Sequence, residues 1–520
     1  MAAAAVCMTA CTSDPVAPAD APVVPPPTED AVEAEQPTLS TATLSSFAAS
    51  QNRVVAAPQT RADAQSNPIT EIVTLENLSK ENAVGGIDFT KEDRYLSATC
   101  VYFDPATQTY YVTYHMQGNN YKTQQDVETL GYIESFKIQD GTIVPGTVYY
   151  SSNPAFDFNH LYFDNLGNTN WGGYSGTDSG SRIIAVGHKS EPSSKEGGEP
   201  NTAAIIANLD LNLGMIEYSK VLTGDKLRDA AGRSLGDVDA GDVNCVIRKY
   251  DWYYLATRKG IAVLNAKEDK LFTPIQAKDK DVYFIKTPGS AKHFSHMLGS
   301  AFSLLYLTQP APEGYDGSTT STANVILFSM EDYLSPYAGS LTGMGTADKA
   351  GAIENVADFD ITTWSTASNG NQFTIPDLVY PIDGKNVVAT PSSGRVYACL
   401  GKAGLYVRLT GSRMNAAGTA SEPFVDEKTI KFSDATDGSR PVNGVFVEEY
   451  GYIYVANGVC LTVLDYNTLE VVADFTLGKD AVASANYVHV EKNAETNERT
   501  ITVAYGQAGV KVLRFVPPTR

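Results

Sequence analysis

No stretch of the chain approaches the roughly 18 to 20 continuous apolar residues that a membrane-spanning helix needs, so a helical span within the body is excluded. Cations are scarce. The 39 Lys and Arg stand against 60 Asp and Glu, a formal charge of −21. A phosphate-binding surface needs a concentrated excess of Lys and Arg, so no nucleic-acid partner is expected. The acidity serves solubility first, and attraction of cationic ligands or divalent metals second. There are only 6 cysteines, and no two are spaced Cys-x-x-Cys, which argues against a metal site and leaves disulfides second to buried free thiols. Amphipathic helical periodicity is hardly present after residue 69, and a helical bundle is excluded with it.

What is abundant points to β structure. Tyr (29) far outnumbers Trp (3), and 42 Gly are available for turns. Tyr suits half-buried strand positions, and Gly the turns between them. The first eleven residues, MAAAAVCMTAC, form a small-and-apolar run ending Met8-Thr9-Ala10-Cys11. This resembles a bacterial lipoprotein signal, in which the cysteine thiol takes a diacylglycerol and small neighbours admit the peptidase. The resemblance implies lipidation at Cys11. No Lys or Arg precedes the run, so a positively charged start is expected further upstream. Residues 12–68 are rich in Pro, Ala and Thr, including Pro25-Pro26-Pro27, and carry few large apolar groups. Such a segment buries too little to offset its ordering entropy and is predicted to be a disordered linker. Residues 69–520 form the folded body.

Within that body the chain repeats itself. Tyr254 to Leu264, with its YLATRKGIAVL pattern, lines up with Tyr454 to Leu464, YVANGVCLTVL; Val503 to Leu513 fits the same frame, and Tyr397 to Val407 fits with one inserted residue. Each reads as a hairpin. A polar residue recurs where the preceding strand begins: Asn443 and Asn386 lie 11 residues before Tyr454 and Tyr397, and Asn244 lies 10 before Tyr254. Asn486, Asn159 with His160, and Thr99 open comparable runs, and Ser295 or His296 fills the remaining place ahead of Tyr306. The starts are far enough apart for four-stranded units of about 40 to 50 residues with insertions. Sheets that cannot stand alone close into a ring, so the prediction is an all-β, seven-bladed β-propeller, with an eighth blade open for residues 336–385. Glu71 to Glu76 is expected to supply the outer strand of the last blade.

The Tyr-Val-Ala-x-Gly hairpin, clearest from Tyr454 to Asp465, resembles the LVIVD-type and YVTN-type repeats of bacterial surface propellers. The resemblance covers about half the chain and carries no catalytic residue; it implies an extracytoplasmic place and binding or scaffolding. Cys100, Cys245, Cys399 and Cys460 each sit in an apolar strand-like run and are expected to be buried free thiols.

The ring topology puts the recurrent polar residues at one mouth of the central channel. Three enlarged turns, 115–130, 187–202 and 308–323, are expected on the same face and carry His115, Tyr121, His188, Lys189 and Tyr315 as further binding candidates. The two imidazoles of His293-Phe-Ser-His296 fall on opposite faces of a strand, a poor arrangement for one metal. Asp237 to Asn244 begins like a calcium loop, but Gly241 and Arg248 stand where oxygen ligands are required. Asp157 with Asp164, and Asp358 with Asp360, are the acid pairs considered. No catalytic residue, cofactor or metal is expected. The leading reading is a lipid-anchored protein of the outer membrane or cell surface that binds a small molecule or partner protein, for example as an accessory to nutrient or metal-chelate uptake. Its only membrane link would be the lipid. A glycan hydrolase or lyase with its site at the axis, and an adhesin or assembly scaffold, are the alternatives.

Overall fold

The computed structural model describes residues 39–57, 67–78, 94–118, 131–151, 156–165, 181–191, 201–209 and 214–218, then most of 243–308, 320–329, 372–379 and 386–518. Residues 35–520 make one compact unit. Apart from a single 3₁₀ turn, Gln51–Arg53, every regular element among the described residues is a strand.

The strands run as antiparallel meanders. In the sheet richest in detail, Val442–Val447, Tyr452–Asn457, Cys460–Asp465 and Val471–Thr476 pair in chain order. The two middle strands are buried at nearly every position, whereas Val471–Thr476 is largely exposed. That gradient explains the sequence: inner strands covered on both faces read as continuous apolar runs, and outer strands keep polar residues. The first strands of the meanders contact one another in a closed circuit. Arg94–Asp104 touches Phe156–Asn165, followed in turn by Val243–Lys249, Ser290–His296, Asn386–Ala389, Val442–Val447 and Tyr487–Lys492, which returns to the first. This is a β-propeller, and its apolar cores lie between neighbouring sheets. One joins Tyr454, Ala456 and Leu461 to Val488, Ile501 and Leu513; another joins Val101, Val112 and Tyr114 to Val510 and Val512.

The chain ends close the ring as the sequence predicts. Ile69–Leu75 pairs with Val510–Phe515, and Val54–Ala56 adds a further strand outside it. Against the seven blades expected, the hydrogen-bonded strands among the described residues form six sheets of four or more strands, with a separate hairpin at Ile275–Ala277 and Lys280–Val282. One sheet has nine strands because Leu39–Ala48 is shared. Its first half pairs with Gly214–Tyr218 and its second half with residues 147–151, stitching two meanders together along their outer edges. The same strand corrects the linker. Residues 39–57 fall inside the segment predicted to be disordered, yet they are strand and turn, with Leu44 buried and Arg53 held by Glu134. Composition hid this, since a strand that completes two existing edges draws its hydrogen bonds from its partners and needs little apolar content of its own.

Candidate functional site

The innermost strands carry a local irregularity at matching places. The pairing register skips one residue between Ala98 and Cys100, Phe158 and His160, Val243 and Cys245, Ala291 and His293, and Val442 and Gly444. The skipped residues are Thr99, Asn159, Asn244, Lys292 and Asn443. A β-bulge leaves its extra residue unpaired and re-aims its side chain. Here the bulged side chains turn to the next blade: Thr99 Oγ1 donates to the Phe158 carbonyl (3.2 Å), Asn159 Nδ2 to Val243 (3.0 Å) and Asn244 Nδ2 to Ala291 (2.9 Å). Asn443 donates to Ala485 (3.0 Å), and Asn486, which opens the last inner strand, to Ala98 (2.8 Å). In each case the acceptor immediately precedes the polar residue of the next strand, so one rule repeats around the axis. Backbone bonds answer in the reverse direction, from Ala98 N to Gly506 O (2.9 Å), Val442 N to Gly401 O (2.8 Å) and Ala485 N to Gly458 O (2.7 Å). Gly506 and Gly458 have φ values of 46° and 54°, the left-handed region that glycine occupies without strain.

Thr99, Asn159, Asn244, Lys292, Asn443 and Asn486 line one axial cavity of about 160 Å³, together with His160, His293 and Tyr487. That is room for about five waters, at roughly 30 Å³ each. Each Asn Nδ2 gives an N–H to a neighbouring strand, so these amides can offer a guest a carbonyl oxygen and at most one further N–H. Lys292 adds a cation to the lining. Asn486→Ala removes the clasp between the last and first inner strands and takes the side-chain donor from a buried carbonyl. A loss of about 1–3 kcal/mol in chemical denaturation is expected; a loss below about 0.5 kcal/mol would show the clasp to be incidental.

Below the amides lies a second layer, the residues that follow them: Cys100, His160, Cys245, His293, Gly444 and Tyr487. All but Tyr487 pair with their hairpin partner directly after the bulge, and Tyr487 does so at the start of its strand. Cys100, His160, Cys245 and His293 are buried. Burial pushes the Cys100 thiol up to about 12 and raises that of Cys245 further. Burial lowers His160, with His293 adding to the effect, and it brings His293 down to about 4, so both rings are neutral near pH 7. Cys100, Cys245, Cys399 and Cys460 are all buried free thiols.

A further cluster stands beside this axis. His188 and Asp157 face each other across paired strands, with Nε2 to Oδ2 at 3.7 Å, and His115 Nδ1 lies 3.5 Å from the same oxygen. Thus His115 and His188 do converge, but from strands Thr109–Gly118 and Ser181–Glu191, not from loops. Lys189 is in the latter strand with its side chain outside the described residues; Tyr121, Tyr315 and Asp237 to Asp242 lie outside them altogether.

Three mouth residues are corrected. Asn386 pairs directly with Cys399, with no bulge, and so belongs to the second layer; it is 3% exposed, and its Oδ1 is buried without a hydrogen-bond partner. The turn before Tyr397 is one residue longer than its counterpart, since Tyr397 pairs with Val388 but Tyr454 with Phe446, and this shifted the count by one. Ser295 sits deeper along its strand, where its Oγ accepts from Ala389 N (3.1 Å). His296 ends that strand, its side chain outside the described residues. The error came from anchoring on Tyr306: the register pairs Ser295 with Leu304, the counterpart of Tyr254 and Tyr454, which pair with Ile247 and Phe446. Lys292 and His293 are the residues that face the axis. Asp157 and Asp164 stand near opposite ends of one strand and form no acid pair; Asp164 accepts from Arg248 (2.8 Å) and Tyr253 (2.5 Å).

No family model matches the chain, and no curated protein matches it. Solved structures do. The β-propeller domain of Cps50 (Swd1) from Myceliophteria thermophila aligns with 81% of this chain and 96% of its own, at 9% identity and a TM-score of 0.41. The extracellular domain of a one-component system from B. thetaiotaomicron aligns with 85% of this chain at 8% identity and a TM-score of 0.36; the aligned part is 44% of that domain. Likenesses this distant concern the fold alone, and the propeller assignment rests on the closed circuit of inner strands.

Proposed function

We propose that this protein is an exported, lipid-anchored propeller that binds a small polar molecule in the axial cavity. One observation carries the reading: polar side chains from six innermost strands, far apart in sequence, line a single cavity. In this reading the nine-stranded sheet counts as two blade units sharing an edge strand, which makes seven units about the axis. The amide carbonyls favour a guest with hydroxyl or other donors and Lys292 one that also carries an acceptor or anionic group, sized like a monosaccharide or an amino acid. Anchoring at Cys11 is the second part, supported by the lipobox-like Met8 to Cys11, and it places the body at the outer membrane or cell surface.

The binding test is thermal shift against a panel of monosaccharides, amino acids and polyamines, with Lys292→Trp as the cavity-filling variant. A guest at 100 times its Kd adds about 2.7 kcal/mol of stability. Wild type is expected to respond to at least one class and Lys292→Trp to none; a response unchanged in Lys292→Trp removes the cavity from the reading. Radiolabelled palmitate tests the anchor, and a Cys11→Ser protein that still takes up label refutes it.

A further inference from the structure

We infer that His160, Cys245 and His293 form a binding site for a thiophilic transition-metal ion of the zinc class, with its open coordination position towards the axial cavity. The three side chains come from three successive innermost strands, at the same level below the amide ring. His160 Nε2 is 3.9 Å from Cys245 Sγ, and the rings of His160 and His293 meet edge to face with centroids 5.3 Å apart. One ligand atom from each lies within 4.8 Å of the others. A tetrahedral zinc ion, with bonds of about 2.0–2.1 Å to nitrogen and about 2.3 Å to sulfur, holds N and S about 3.6 Å apart and two nitrogens about 3.4 Å apart. The His160–Cys245 pair is therefore about 0.3 Å from the bound spacing, within the reach of small side-chain rotations.

The fold does not require these residues. The equivalent place on other inner strands is filled by Cys100, Asn386, Gly444 or Tyr487, so a neutral packing residue is compatible with the architecture. Instead, His160 Nδ1 is buried with no hydrogen-bond partner, the ring nitrogens of His293 find no well-formed hydrogen bond and meet only the backbone of Val387 and Phe294, and both residues are at most 9% exposed. An orphaned buried polar atom costs about 1–3 kcal/mol. A metal bond to a ring nitrogen of His293 offsets that cost there, whereas on His160 the nitrogen that faces Cys245 is Nε2. The donor set of two imidazoles and one thiol selects a soft or borderline ion over calcium or magnesium, which take oxygen ligands. Three protein donors leave a fourth position, and His160 and His293 both line the cavity. Binding displaces the Cys245 thiol proton to solvent, forming one S–metal and two N–metal bonds.

The test uses the chain stripped with a chelator and titrated with Co²⁺. One equivalent is expected to bind, with a thiolate-to-cobalt charge-transfer band that Zn²⁺ abolishes by displacement. Cys245→Ser should lose the band, and His115→Ala should keep it. Zinc X-ray absorption of the loaded wild type needs no variant and should read one sulfur and two nitrogens in the first shell. Failure to bind near one equivalent, a shell without sulfur, or a Co²⁺ site lost in His188→Ala but kept in Cys245→Ser would overturn the inference. The last result would move the ion to His115, Asp157 and His188. None of these outcomes decides whether the cavity takes a guest, which the Lys292→Trp comparison reads separately.

Discussion

Arg53→Ala is expected to cost about 3–5 kcal/mol, among the largest effects of any single truncation in this protein. Arg53 and Glu134 are 1% and 0% exposed, and the guanidinium grips both carboxylate oxygens while also donating to the Glu76 carbonyl (2.6 Å). Burial lowers the Arg53 pKa, but the adjacent Glu134 carboxylate more than offsets it and holds the arginine firmly protonated. The stacked rings of Tyr114 and Tyr132, with centroids 4.2 Å apart, belong to the same dry pocket. Removing the arginine strands a carboxylate away from water, which is where the cost arises. Arg53→Met combined with Glu134→Leu removes both charges and is expected to recover most of the loss. Urea denaturation of wild type, Arg53→Ala and the double variant reads the comparison. A single-variant loss under about 1 kcal/mol would mean that solvent reaches Glu134.

Gly187→Ala is expected to be destabilising by at least about 3 kcal/mol, at the upper end of overpacking penalties. A Cβ on Gly187 would lie 1.9 Å from the Asp157 carbonyl oxygen and 2.9 Å from the Phe158 Cα, so backbone must move to admit it. The paired strands 156–165 and 181–191 are drawn together there, next to the bulge that aims Asn159 at the axis. Gly141 gives the contrast: its φ is 73°, but an added Cβ meets only the tip of Ile72, at 3.7 Å. Gly141→Ala should therefore cost only the backbone strain, about 1 kcal/mol. Equal losses at the two glycines would contradict the close approach at Gly187.

The all-β architecture was legible because inner strands advertise themselves as apolar runs and their hairpins repeat. Thr99, Asn159, Asn244, Asn443 and Asn486 were legible for the same reason: a polar residue at the head of an apolar run recurs, and the ring turns that recurrence into proximity. Lys292 broke the pattern by residue type, and Leu304 hid the register that would have located it. Asn386 broke it by one position, because its hairpin has an extra residue. The grouping of His160, Cys245 and His293 had no local signal, since each lies on a different strand and the only histidine spacing in view, His293 to His296, points to opposite faces. The sheet number was obscured by Leu39–Ala48, whose composition reads as tether.

That edge strand has a mechanical consequence. Traction applied upstream of Leu39 enters the folded body through ten residues whose backbone is bonded first to Gly214–Tyr218 and then to residues 147–151. The load meets two separate partners in succession. Neither the channel-lining strands nor the clasp between the first and last inner strands needs to yield until both have let go, so the axis is insulated from tension on this strand.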